Sequence, residues 1–311
     1  MGRSRKYIPA FLFFLFPLYS LSAVSSQKVS ELFPSLLLCQ GGRNSLAHIQ
    51  GIKADWEYLA DGPILDAQPQ AKGRYLVVGG NSKVFLIRPT IRGYRKVWDW
   101  SLVEGVQVVS AVAVDWDLKG NPSLILAADS SQNRIFLSEA KSQGVKIRWE
   151  YKLPATPLSV RLCPDSGNFL VTLSDSTIEE IFYQKDQVVW AVGKEEGLQK
   201  ARDAARGSEG WTFVADGAGG MVYCFDHEKK ALWKTRLPFI PACDDLTVSP
   251  YRKNGKKLLL VTAHAGSKNI LYLLSVESGK LLGWEDSPGK ANAALLRAVP
   301  DMPPSRRPGG Q

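Results

Sequence analysis

Trp211–Thr235 reads WTFVADGAGGMVYCFDHEKKALWKT: an apolar run, a turn of Asp, Ala and Gly, a second apolar run, a charged turn, and a last run carrying Trp233. Short runs rich in Val, Phe and Tyr, punctuated by Gly, Asp and Lys, predict three successive β-strands. The same order recurs in LLLCQGGRNSLAHIQGIKADWEY from Leu36, YLVVGGNSKVFLIRPTIRGYRKVWDW from Tyr75 and LILAADSSQNRIFLSEAKSQGVKIRWEY from Leu124. It returns in FLVTLSDSTIEEIFYQKDQVVWAV from Phe169 and LLVTAHAGSKNILYLLSVESGKLLGWED from Leu259. The tryptophans near the strand ends, Trp56, Trp98, Trp149, Trp190, Trp233 and Trp284, stand 42, 51, 41, 43 and 51 residues apart. A period in the forties is that of a propeller blade, in which no single unit can bury its own faces.

A blade needs a fourth strand, and candidates precede four of the triples: Pro63 to Gln68, Val108 to Val114, Pro157 to Cys163 and Ala242 to Val248. Before the fifth copy the stretch Gly197 to Arg206 is rich in Ala, Lys and Arg, a composition that favours helix. The register of the repeat requires a strand there, and a strand is expected. The first copy has no room for a preceding strand, so Ala291 to Asp301 is expected to supply it and to latch the ring. The fold expected is therefore all-β: a single β-propeller of about six four-stranded blades, with seven the alternative, closed by a C-terminal strand.

The N-terminus carries Arg3, Arg5 and Lys6, an apolar stretch from Ile8 to Leu21, and small residues from Ser22 to Ser26, the layout of a cleaved signal peptide. Its 14 apolar residues, broken by Pro9 and Pro17, are short of the roughly 20 that span a bilayer. Three regions follow: a signal peptide over 1–25, a propeller over 26–301 and a disordered tail over 302–311. The chain is expected to be extracytoplasmic, periplasmic or secreted, with no transmembrane segment in the mature form. Cys39, Cys163, Cys224 and Cys243 form no C-x-x-C; one or two disulfides and buried small hydrophobes are both open readings. The formal charge of +9 falls to about +6 without the leader, a generally basic surface. Export argues against nucleic acid as a partner.

Ala215-Asp216-Gly217 through Val222-Tyr223-Cys224-Phe225-Asp226, ending in Leu232-Trp233, resembles the PQQ-like repeat of quinoprotein alcohol dehydrogenase-like propellers. Val276-Glu277-Ser278-Gly279-Lys280 with Trp284 resembles the Thr-Gly-Lys…Trp end of that repeat. The resemblance extends more weakly over Leu36 to Asp301 and concerns fold, not activity. Large members of that group oxidise alcohols with pyrroloquinoline quinone. Smaller ones are non-enzymatic, among them a periplasmic lipoprotein that assists outer-membrane protein assembly. This chain is similar to the smaller kind, being short and without an adjacent cysteine pair or a C-x-x-C-H haem motif. Each repeated Trp is expected to pack on the neighbouring blade while its indole N–H meets a backbone carbonyl.

Functional groupings are sparse. His48, His227 and His264 have no metal-ligand spacing, and His264 takes the turn position that Asp129, Asp175 or Asp216 hold elsewhere. Asp115 to Asn121 alternates oxygen ligands as a calcium loop does but lacks its terminal acid, and reads as a β-turn. The neighbours Asp244-Asp245 and Glu195-Glu196 point to opposite faces if on a strand. Propellers bind at the channel mouth, where Arg161, Asp165, Asp244, Asp245 and Arg252 are the candidate residues. No catalytic residue, metal site or cofactor is expected. The function expected is a monomeric, non-enzymatic module that binds a protein or cell-envelope component, or forms part of an envelope assembly. The rival is a channel enzyme, either a quinoprotein oxidoreductase or a carbohydrate-active hydrolase or lyase.

Overall fold

The computed structural model describes residues 36–298 except 41–44, 51–52, 61–63, 71–73, 80–82, 91–92, 102–104, 142–143, 241–242, 244, 266–267 and 287–293. The segments expected to be a signal peptide and a tail lie outside these residues, as do the side chains of Cys39, His48 and Trp56. Six four-stranded antiparallel sheets are present. The first holds β1 (Leu36–Gln40), β2 (Ser45–Gln50) and β3 (Lys53–Leu59); the second β4 (Ile64–Gln70), β5 (Arg74–Gly79), β6 (Lys83–Thr90) and β7 (Gly93–Ser101). The third holds β8 (Val108–Trp116), β9 (Pro122–Asp129), β10 (Arg134–Lys141) and β11 (Gly144–Lys152); the fourth β12 (Pro157–Leu162), β13 (Phe169–Leu173), β14 (Ile178–Phe182) and β15 (Gln187–Val192). The fifth holds β16 (Ala201–Arg206), β17 (Thr212–Asp216), β18 (Met221–Phe225) and β19 (Ala231–Arg236); the sixth β20 (Asp245–Lys253), β21 (Lys256–Ala265), β22 (Lys268–Ser275) and β23 (Leu281–Asp286).

The last strand, β24 (Ala294–Ala298), completes the first sheet as its innermost strand, with Leu36 opposite Ala298 and Gln40 opposite Ala294. Each inner strand contacts the next around the axis, and β24 touches both β20 and β4, so the ring is closed. The expected latch is therefore present, and it removes two open sheet edges at once. β16 also forms as a strand. Inner strands crowd at the axis, where Ala67, Ala111, Ala113, Ala201, Ala204 and Ala205 are all buried. Small side chains suit that crowding, so tertiary packing overrides the helix propensity of alanine.

Second strands such as Thr212–Asp216 and Phe169–Leu173 are buried at every position, because blades cover both of their faces. Outer strands alternate, as in Ala231–Arg236, because one face meets solvent. The repeat includes a feature that no residue type announces: a register shift between third and outer strand in all six sheets. In the second to fifth sheets the extra residue, Val97, Arg148, Val189 or Leu232, immediately precedes the repeated Trp. The bulge turns the outer strand so that the indole lies on the next blade. Trp190 Nε1 donates to Asp226 O at 3.3 Å and Trp233 Nε1 to Val276 O at 2.8 Å, while Trp149 Nε1 finds the Asp186 carboxylate instead.

Gly279 shows why the Ser-Gly-Lys turn follows. It has φ +66°, and a Cβ there would come within 2.5 Å of the Trp233 ring. We expect Gly279→Ala to cost about 2–3 kcal/mol, from left-handed strain and the collision together. Gly255→Ala is the comparison, with φ +75° and open space around it, and should cost about 1 kcal/mol. Equal midpoints in urea would contradict the docking role of Gly279.

Candidate functional site

Short polar side chains of the inner strands face one another at the axis. Ser110 Oγ donates to Asp66 Oδ2 at 2.6 Å. Gln68 Nε2 donates to Asp66 Oδ2 at 3.1 Å and to Val160 O at 3.0 Å. Gln68 thereby reaches from the second blade past the third to the fourth. A second network continues from β12: Ser159 Oγ donates to Asp203 Oδ1 at 3.2 Å, and Arg161 Nη2 pairs with Asp203 Oδ2. That oxygen also accepts Val248 N–H from β20 at 3.0 Å. Asp66, Gln68, Ser110, Ser159 and Asp203 are all buried, so each needs these partners to offset lost hydration. The networks tie five of the six blades across the axis.

The four described residues among the sequence-derived mouth candidates do not share a mouth. Arg161 turns inward to Asp203 and belongs to the axial network. Asp165 lies in the turn after β12, and Arg252 near the end of β20, so both sit at the end carrying the turns between inner and second strands. Asp245 begins β20, seven residues from Arg252, which at ~3.3 Å per residue puts it about 23 Å away at the opposite end. Asp244 lies outside the described residues. The reason for the split is that a nine-residue inner strand runs the full depth of the ring.

At the Arg252 end a groove of about 510 Å³ is lined by Pro164, Ser208, Glu209, Tyr251, Arg252 and Lys257 among others. Glu209 joins its cations: Lys257 Nζ lies 3.0 Å and Arg252 Nη2 3.5 Å from Oε1. Burial opposes the Glu209 charge, but hydrogen bonds from Lys257 and Ser208 outweigh it and hold its pKa below the ordinary range. Behind the groove, Arg206 pairs with Glu180, both nearly buried, and donates to Gly210 O at 2.6 Å. Ser166 and Asn168 hydrogen-bond the same Glu180 carboxylate at 3.1 and 2.7 Å. Sequence reading missed this pair because its members stand on different blades.

Other expected roles are resolved locally. Asp216 accepts the N–H groups of Gln199, Lys200 and Ala218 at 2.7–2.9 Å, fastening the connection between blades. Asp129 does the same for Gln107 and Ser131 and pairs with Arg134. Register sets His264 level with these aspartates, as expected, but Leu173 and not Asp175 holds the position in the fourth blade. Asp175 lies two residues later, where it accepts Thr177 N–H. Asp117 closes its turn by accepting Asn121 N–H at 2.7 Å. Cys163, Cys224 and Cys243 are buried free thiols; burial raises Cys163 to about 11 and Cys224 to about 12.

Glu179 on β14 is buried, and its Oε2 meets no hydrogen-bond donor. Burial, and then the Asp175 carboxylate, raise its pKa above the ordinary value. A carboxyl raised in the fold carries no penalty while it is protonated in both states, and a growing one as pH climbs through the raised pKa. Glu179→Gln should therefore raise the melting temperature at pH 7–8 and leave it unchanged near pH 4. A variant less stable than the parent at neutral pH would contradict this assignment.

No family model matches the chain, and no curated protein matches it. Solved structures do. A protein of unknown function from Bacteroides caccae superposes with a TM-score of 0.60 at 18% identity, covering 86% of this chain and 99% of that one. BBS1N, solved in complex with ARL6DN, superposes with a TM-score of 0.57 at 13% identity, covering 82% of this chain and 77% of that one. At these identities the likeness is one of fold.

Proposed function

We propose that this chain is an exported, non-catalytic binding module of the PQQ-like kind, whose protein or cell-envelope partner docks on the end bearing the turns between inner and second strands. One observation carries the reading. The axial carboxylates Asp66 and Asp203 are engaged in holding strands together, whereas Arg252 and the groove beside it lie at the surface of that end. Convergent polar groups here serve assembly of the ring; recognition falls to the rim. The PQQ-like assignment draws support from the Trp233–Gly279 docking and the Asp216 brace, which give the repeat's Trp, Gly and Asp structural roles. Export draws support from the basic and apolar leader alone. The neighbour solved in complex with another protein is in keeping with a fold that serves protein recognition.

A photo-crosslinking residue at position 252 tests the proposal, with the exposed outer-strand position 232 as comparison. Adducts from envelope fractions should form from 252, not from 232, and should disappear when Lys257→Glu is added. Equal capture at both positions, or turnover of an alcohol or glycan by the purified chain, would overturn it.

A further inference from the structure

The second blade carries three arginines in a row across adjacent strands. Tyr75 stands opposite Ile87, which brings Arg74, at the start of β5, level with Arg88 on β6. Arg88 is paired directly with Arg95 on β7. Residues opposite each other in an antiparallel sheet share a face with Cβ atoms about 5 Å apart, so the three arginine side chains leave three adjacent strands on one face. That face looks towards the third blade: Leu76 and Leu86 on the same side pack with Ala111, Ile125 and Phe136. The Arg74 guanidinium lies 4.3 Å over the Trp116 ring and donates to Gly120 O. Between the row and the turn after β8 is a groove of about 520 Å³, lined by Arg74, Arg88, Trp116, Asp117, Leu118 and Lys119.

Like charges directly opposite on a sheet destabilise it. The third blade avoids this by interleaving acids, with Arg134 between Asp129 and Glu150 and Arg148 against Glu139. Arg88 and Arg95 have no acidic partner among the described residues. Asp117 faces the groove as a single carboxylate already accepting two hydrogen bonds from Asn121. Burial, and then the neighbouring Arg88, lower the pKa of Arg74, while Asp117 opposes the shift.

We propose that the arginine row and its groove bind a ligand carrying two or more oxyanions, phosphate, sulfate or carboxylate groups, each taken by a neighbouring guanidinium. Arginine forks match such groups bidentately, and Arg74, fixed on Trp116, gives the site a rigid floor. This goes beyond the binding-module reading and is tested on the purified chain alone, so either can fail without the other.

Calorimetric titration with inorganic tripolyphosphate and with inorganic phosphate at constant ionic strength provides the test. Tripolyphosphate should bind about tenfold or more tightly than phosphate, and Arg88→Ala/Arg95→Ala should lose about tenfold in its affinity. Lys234→Ala/Lys256→Ala, which removes equal charge elsewhere, should bind as the parent does. Without ligand at low salt, the arginine variant should melt no lower than the parent. Phosphatidylglycerol vesicles, run beside the soluble probe, distinguish a lipid-borne oxyanion from a free one. Equal weakening in both double variants, equal affinity for the two phosphates, or no binding of any probe would overturn the proposal.

Discussion

Asp203→Ala is expected to destabilise the propeller by about 3–5 kcal/mol, lowering the melting temperature by about 10 °C. The carboxylate stands on β16 between two other inner strands, pairing with Arg161 on one side and accepting Ser159 Oγ–H and Val248 N–H. Its removal takes the counter-charge from a nearly buried guanidinium and leaves the Val248 amide without its acceptor. Both are costs of desolvation that alanine does not compensate. Asp203→Asn, which keeps an acceptor but no charge, should cost less. Chemical denaturation of the three proteins measures this, and an alanine variant within about 0.5 kcal/mol of the parent would remove the axial network from the account.

The larger effect is expected from ending the chain at Lys290. This deletes β24, leaving β1 without its inner neighbour and exposing edges towards β20 and β4. Exposed edges in an all-β ring invite intermolecular pairing. The shortened chain should lose its cooperative thermal transition and aggregate on concentration. A peptide of residues 291–301 added during refolding should restore part of the transition. Cooperative melting of the truncated chain within a few degrees of the parent would show that closure contributes little.

The fold was legible because Trp recurs in every unit and the turn residues around it have mechanical roles: Trp233 rests on Gly279, and Asp216 braces the link before β16. Even the Ala-rich inner strand of the fifth blade followed from register. The site was much less legible. Arg161 and Arg252 read alike in sequence, yet one turns to the axis and the other to solvent, because strand ends and inward faces depend on register. Asp175 resembled Asp216 by its place near a turn, and a two-residue offset separates them. The Glu180–Arg206 pair and the row of Arg74, Arg88 and Arg95 join residues whose proximity arises only from cross-strand or cross-blade pairing.

Native-state hydrogen exchange over residues 36–40 and 294–298 tests ring closure most directly. Amides bonded between β1 and β24 should be protected together and open together, at a free energy close to that of global unfolding. Exchange of 294–298 at the rate of a free peptide, beside a protected 36–40, would contradict it.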